Sequence, residues 1–406
     1  MKAGLFYFYG MKNAGDMAIN IGALKIIKDF GFHEVNVLSR FELNSADFME
    51  TEKYMNTYPD FFMNINLYPG PFAFTRKNGV LGQVEYIKML FKFRGTYHES
   101  RINEFINDSD IFFFNGGNLL RINSFKDFLR LMALFFPVFI LKRKHKKIIL
   151  LPHSTNNMNK FQKKVLAKFL KCYDYIFSRD EITNNIFHQI GLQNCLSQID
   201  VCFFQNIKAL ISRKYNSSIS KIDITVRDTG IGDIGKLKPP VIKKLRNKLM
   251  EIIHTFDDKD ILIKIIVQNK NDSEFSYLIF DELKKEFKAE LIEEYDVFKL
   301  LKIYGDADLV VGMRLHSLII AASVGTPIVG VFSKEWGIKN PGTFQELGLK
   351  SIVVENSERA GDLNDLINFN ISNKLETNQI IINKYSEITN SIKKIIDDCL
   401  PSNYSC

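Results

Sequence analysis

The feature that most constrains this chain is a rhythm. Short, continuously apolar runs of strand length alternate with amphipathic helical stretches. In the first half the runs are Leu5–Tyr9, Glu34–Leu38, Asp110–Phe114, Lys147–Leu151 and Tyr173–Phe177. Runs that are apolar throughout, rather than at alternate positions, suit strands covered on both faces, as in a parallel sheet. Helical patterns fill the gaps at Met17–Phe30, Val84–Phe93 and Phe161–Lys171. The repeating unit is therefore β-α-β, and the expected fold class is α/β with a doubly wound sheet.

The rhythm restarts after a polar break at Ser212–Ser220. Strands are expected at Ile222–Val226, Ile261–Val267, Leu309–Gly312 and Ile328–Phe332. Helices are expected at Val241–His254, at Glu274–Glu286 and from near His316. A chain of 406 residues exceeds one ordinary core, so the break reads as a linker between domains. The expected domains are 1–210 and 221–375, followed by a helix and tail at 376–406 in which Asn378–Cys399 is amphipathic.

Hydrophobic residues make up 46% and charged residues 25%, the balance of a folded soluble protein. The formal charge of +8 favours an anionic partner: a phosphorylated substrate, a membrane surface or nucleic acid. No nucleic-acid-binding module accompanies it, so nucleic acid is not expected as a partner. The five cysteines form no CxxC pair and no metal-like spacing, which suits reduced thiols in a cytoplasmic protein. Cys195 and Cys202 lie among apolar residues and read as buried structural thiols. The apolar start, Met1–Tyr9, is too short for a signal peptide and reads as the first strand.

One stretch departs from the pattern. Phe128–Leu141 is rich in aromatic and aliphatic residues and runs directly into the basic Lys142–Lys147. It is too short to span a bilayer. It reads either as a core helix ending in a favourable basic turn, or as a peripheral contact through 128–147 with anionic lipid at the inner face of the membrane.

Candidate chemistry gathers where strands give way to helices. Asp308–Met313 reads as a buried strand, and Arg314 and His316 come directly after it, at the start of the apolar helix Leu318–Ser323. A helix start presents free backbone N–H groups to anions. Arginine adds a planar fork for carboxylate or phosphate, and histidine can move a proton near neutral pH. Arg227 ends another strand, and Lys334 follows the next one. In the first half, the loop Gly10–Asp16 follows the first strand, where Gly15 frees the backbone and Asp16 can cap the helix. Asn115-Gly116-Gly117-Asn118 follows another strand in the same way, as a tight turn or a place of close ligand approach.

At these residues the sequence resembles the polysaccharide pyruvyl transferase family. The resemblance rests on Asn13-Ala-Gly-Asp16, Gly116-Gly117, Ser178-Arg-Asp180, Asp200, and Val311-Gly-Met-Arg-Leu-His316 through Gly325-Thr-Pro-Ile-Val-Gly330, and covers residues 3–336. It implies two Rossmann-like domains facing a cleft, as in B-type glycosyltransferases (GT-B). It also implies transfer of a pyruvyl group from phosphoenolpyruvate to a sugar, oligosaccharide or lipid-linked glycan in cell-surface or exopolysaccharide synthesis, often as a cyclic ketal. No cofactor or metal is required for that chemistry.

By the resemblance, His316 is the general acid or proton shuttle, and Arg227, Arg314, Leu315 and Lys334 bind phosphoenolpyruvate. Asp16 is the candidate general base. Asn13, Gly15, Gly116, Gly117 and Asn118 fall on the acceptor side. The sequence departs from the family at Asn118, where relatives carry a third glycine, and at Leu151-Pro-His-Ser-Thr155, which replaces a glycine-rich segment. Two alternatives stay open. One is a GT-B glycosyltransferase using a nucleotide sugar, for which Glu293, Glu294 or Asp296 would have to hold the ribose. The other is a non-catalytic glycan-binding relative.

Overall fold

In a computed structural model of the chain, every apolar run named above is a strand. The structure describes residues 1–397 apart from 12, 71–83, 85–86, 88–100, 118, 121, 123, 156–157, 217, 231–234, 257–259, 338 and 357–360. The helix expected at Val84–Phe93 lies outside the described residues save for positions 84 and 87, as do Asn118, Cys399 and Cys406. The chain divides into two units, Met1–Met11 with Ile19–Val201, and Lys12–Ala18 with Cys202–Cys406. The start of the first helix thus belongs to the second unit.

The first unit is built on a seven-stranded parallel sheet. Its strands are β1 (Lys2–Phe8), β2 (Glu34–Ser39), β3 (Ile65–Tyr68), β4 (Ile111–Phe114), β5 (Lys147–His153), β6 (Tyr175–Ser178) and β7 (Cys195–Ser197), in the order β3-β2-β1-β4-β5-β6-β7. The order reverses between β1 and β4, which pair from Ala3 against Ile111 to Phe6 against Phe114. Aromatic side chains fill the space over this seam. Phe6 stacks on Phe114 with ring centroids 4.5 Å apart, and Phe105 meets Phe6 edge-on at 5.0 Å. Such packing adds to area burial and favours one arrangement of the rings over others.

The second unit carries a six-stranded parallel sheet. It comprises β8 (Lys221–Thr225), β9 (Leu262–Val267), β10 (Lys288–Glu293), β11 (Leu309–Gly312), β12 (Ile328–Phe332) and β13 (Ser351–Val353), in the order β10-β9-β8-β11-β12-β13. Here the order reverses between β8 and β11, where Thr225 lies opposite Gly312. Both sheets are therefore doubly wound, and each has one switch point at which the carboxyl ends of two central strands leave a crevice for a ligand.

Three local findings refine the sequence reading. The first helix runs Ala14–Lys28, and its cap is Asn13, whose Oδ1 accepts from Gly15 N at 3.0 Å. Asp16 lies inside the first turn, where its charge favours the helix dipole. Phe128–Leu141 is not one helix. It forms parts of Phe125–Phe135 and Pro137–Arg143, broken at Pro137, which occupies the first-turn position where a missing N–H costs nothing. Leu129, Leu131, Leu134, Phe135, Val138 and Leu141 are buried, so much of this apolar stretch packs in the core, while Phe128, Met132, Phe136, Phe139 and Ile140 are half-buried. Finally, the polar break at Ser212–Ser220 is tied to the second unit. Arg213 donates to the carbonyls of Gly305 and Ala307, and Asp308 accepts from Asn216 and from the backbone and hydroxyl of Ser220. The last helix, Lys374–Asp397, buries Ile381, Ile388, Ile392 and Ile395, one face at helical spacing.

Candidate active site

The switch point of the second sheet gathers the candidate cations. Arg227 lies two residues beyond Thr225 of β8, and Arg314 two beyond Gly312 of β11. Because Thr225 and Gly312 are register partners, the two arginines leave adjacent strands at the same level. The Thr225 and Ser317 hydroxyls, 2.6 Å apart, tie β8 to the helix Leu315–Ala322 that follows β11. That helix carries Arg314 at its cap position, with the buried Leu315 and half-buried His316 in its first turn. Leu315 accordingly offers its backbone rather than its side chain.

Neither guanidinium is loose. Arg314 donates from Nη2 to Asp272 Oδ1 at 2.9 Å and from Nε to Oδ2, a two-pronged pair. The side chains are only 11% and 3% exposed. Asp272 ends the turn Lys270–Asp272 after β9. Sequence reasoning missed it. The signal was its place beyond a strand end, the same criterion that singled out Arg227. Arg227 donates from Nε to the carbonyl and hydroxyl of Thr229, each at 3.2 Å, and from Nη2 to the Gly230 carbonyl. Its guanidinium lies over Trp336, 5.0 Å from the ring centroid, and Trp336 Nε1 donates to Thr229 O at 2.9 Å. These acceptors and the indole orient Arg227. Trp336 was likewise not anticipated. Lys334 follows β12, and its side chain is exposed, while its backbone N–H and the Ser333 hydroxyl bind Glu355.

His316 is positioned by a glycine. A Cβ added at Gly15 would come within 2.7 Å of His316 Cγ and closer still to Nδ1, so only glycine leaves the ring its place. Gly15 is thus a neighbour of His316 within the second unit. Asn13 and Asp16 share that short segment.

The first sheet's switch point holds the other glycines. Gly116 has no room for a side chain: a Cβ there would meet Pro152 O at 2.9 Å. Gly117 has φ +127° and bridges to β5, donating to Pro152 O at 3.1 Å and accepting from Ser154 N at 3.0 Å. Close approach of the β5 backbone explains Gly116, and the positive φ, with the Tyr9 hydroxyl 2.8 Å from where a Cβ would stand, explains Gly117. Tyr9 donates to Gly116 O at 2.8 Å, and Asn20 receives Tyr9 N–H and donates to Tyr9 O, each at 2.9 Å.

Next to this turn lies a buried polar network that the sequence only hinted at. Arg179 donates to Asp200 at 2.7 Å and to the Ser154 hydroxyl at 2.9 Å, and Ser154 donates to Asp180 at 2.5 Å. Asp180 also caps the helix Glu181–Gln189. His153 is fully buried, and burial lowers its pKa to about 4, so it is neutral at pH 7. Its Nδ1 lies 2.7 Å from Leu151 O, which can only accept, so the proton sits on Nδ1. The carboxylates that a nucleotide-sugar reading would need are already engaged. Glu294 accepts from the N–H groups of Tyr295 and Asp296, Asp296 caps Val297–Asp306, and Glu293 accepts from two tyrosines.

Similarity to solved structures is in accord with this architecture. The UDP-GlcNAc 2-epimerase of Neisseria meningitidis bound to UDP-GlcNAc aligns with a TM-score of 0.60 at 12% identity, over 97% of this chain and 100% of that one. A glycosyltransferase of Rickettsia africae aligns at 0.54 and 13%, over 97% of each chain. The lipopolysaccharide outer core galactosyltransferase WaaB aligns at 0.51 and 12%, over 97% and 99%. At such identities the likeness shows the GT-B fold alone. No curated protein matches the chain. The family model of polysaccharide pyruvyl transferases, however, matches residues 13–333, from the cap of the first helix to the residue after β12. The chain belongs to the polysaccharide pyruvyl transferase family and is a transferase by that membership.

Proposed function

We propose that the protein transfers a pyruvyl group from phosphoenolpyruvate to two hydroxyls of a sugar or lipid-linked glycan, forming a cyclic ketal. The observation that carries the reading is the pair of oriented arginines leaving β8 and β11 at one level, beside a helix start that bears a histidine. Phosphoenolpyruvate carries a phosphate and a carboxylate, and the two forks suit those groups. In this reading Arg227 and Arg314 clamp the donor, the backbone at Leu315 adds N–H groups, and Lys334 offsets charge on the departing phosphate.

The chemistry balances without a cofactor. His316 gives a proton to the methylene carbon, C2 becomes oxocarbenium-like, and one sugar hydroxyl adds there as it loses its proton. Phosphate then leaves with the C–O bonding pair, and the second hydroxyl closes the ketal, losing its own proton. Asp16 is the candidate acceptor for a hydroxyl proton, placed one residue from the glycine that abuts His316. Fixed cations aimed at the developing phosphate charge supply the stabilisation, so no metal is required.

The test is incubation with phosphoenolpyruvate and a panel of sugars and lipid-linked glycans while following phosphate. Release should depend on an acceptor and fall by about a hundredfold or more in His316→Ala, the size expected for loss of a positioned acid. Tight binding of a nucleoside diphosphate, with no turnover of phosphoenolpyruvate, would overturn the reading in favour of a glycosyltransferase.

A further inference from the structure

Two helices of the first unit follow β4 and β5 after intervening loops, and each exposes a phenylalanine in its first turn. Phe125, first residue of Phe125–Phe135, is 62% exposed, and Phe161, second residue of Lys160–Leu170, is 65% exposed. Phe128 lies between them, stacked on Phe125 at 6.2 Å and tilted against Phe161 at 5.9 Å. Three rings thus form one aromatic strip at the carboxyl edge of the sheet. A soluble surface gains nothing from such a strip, and isolated exposed apolar residues are not usually stacked in series.

The charge beside it is mostly positive: Asp127, within the strip's first helix, pairs with Arg130 at 3.1 Å, and the second helix is basic throughout. Residues 159–171 contain Lys160, Lys163, Lys164, Lys168 and Lys171 and no acidic residue. Lys160, Lys164 and Lys168 are all exposed and follow each other at i,i+4 spacing, a stripe along one helix face. Phe161 shares that face with Lys164 and Lys168, at i+3 and i+7. The opposite face holds the helix in place through the buried Leu166, Phe169 and Leu170. Aromatic rings at the tip of a lysine-lined surface are what an anionic bilayer surface accepts: rings enter the headgroup layer, and ammonium groups stay among the lipid phosphates.

We propose that this strip, Phe125–Phe128–Phe161 with the lysines of Lys160–Leu170, seats the first unit on an anionic lipid surface. The strip shares Phe128 with the stretch 128–147 that the sequence suggested, but its positive charge comes from elsewhere. The basic turn Lys142–Lys147 leads into the amino end of β5, whereas Phe161 follows its carboxyl end, so the two lie at opposite ends of that strand. Among the described residues, the second end combines exposed aromatic rings with positive charge. A surface there would present the first sheet's carboxyl edge towards the membrane, the side from which a lipid-linked glycan would come.

The inference does not depend on pyruvyl transfer, because it is tested without substrates. Full-length protein is floated with vesicles of phosphatidylcholine, with and without about 40 mol% phosphatidylglycerol. Binding should require the anionic lipid, weaken as salt is raised, and fall at least about tenfold in Phe125→Ser/Phe161→Ser. Lys160→Glu/Lys164→Glu should lose binding to a similar degree, while both variants keep the wild-type thermal transition. Absence of binding by the wild type would overturn the proposal, as would binding untouched by the phenylalanine pair. So would concentration-dependent dimerisation of the wild type that the phenylalanine variant abolishes, since the strip would then seat a second copy of the chain.

Discussion

The two sheets have the same winding and treat charge in opposite ways. At the carboxyl edge of the first, Arg179 is shut away with Asp200, their side chains 4% and 3% exposed, and a serine, a second aspartate and a neutral histidine complete the network. In the second, Arg227 is held by carbonyls and an indole and Arg314 by one carboxylate, beside a half-buried histidine. Deeper in the same sheet, Asp223 is buried with neither oxygen in a hydrogen bond. The first unit uses its charges to fix its own structure. The second gathers two oriented arginines and a half-buried histidine at one sheet edge, an arrangement suited to binding an anion and moving a proton.

If that contrast is right, the largest effect on stability comes from the first edge. Asp200→Asn leaves Arg179 buried without its counter-charge and should cost about 3–5 kcal/mol of unfolding free energy, read by chemical denaturation. A loss under about 1 kcal/mol would mean that the pair is not the closed structural element described here.

The next effect belongs to the second sheet and has the opposite sign. Burial pushes the Asp223 carboxyl up to about 7 from its ordinary 3.8, partly countered by Lys264, its register partner on β9. The folded state therefore holds a proton that the unfolded chain has released between those two values. Stability falls as pH rises through that window, and the full cost is present above about pH 7. Asp223→Asn should remove this dependence and raise stability at pH 8 by on the order of 2–4 kcal/mol. The gain should shrink towards zero near pH 4. Denaturation curves at several pH values would show it, and an equal gain at every pH would contradict the titration.

Legibility in the sequence followed position in the sheets. The inner strands β1, β2, β4, β5 and β6, and β8, β9, β11 and β12, are largely buried on both faces and stood out as short runs rich in apolar residues. The strands that did not stand out, β3, β7, β10 and β13, are the four edges. β10 reads Lys-Ala-Glu-Leu-Ile-Glu, with Lys288, Glu290 and Glu293 exposed, because an edge strand has less of its surface to cover. The same logic applies to the site. Arg227, Arg314 and His316 were legible because strand ends can be located from pattern alone. Asp272 was not, since its pairing with Arg314 spans 42 positions and exists only once β9 and β11 flank β8. Nor could pattern reveal that Gly15 serves His316 across some 300 residues, or that Asn13 rather than Asp16 caps the first helix.

The central claim is that the arginines at the β8–β11 switch point hold phosphoenolpyruvate, and the most direct measurement is calorimetric titration of that compound into the wild-type protein and Arg314→Ala. Saturable binding by the wild type, weakened about tenfold or more in a variant that is still folded at the titration temperature, is the predicted result. Equal affinity in both proteins, or no binding to either, would contradict it.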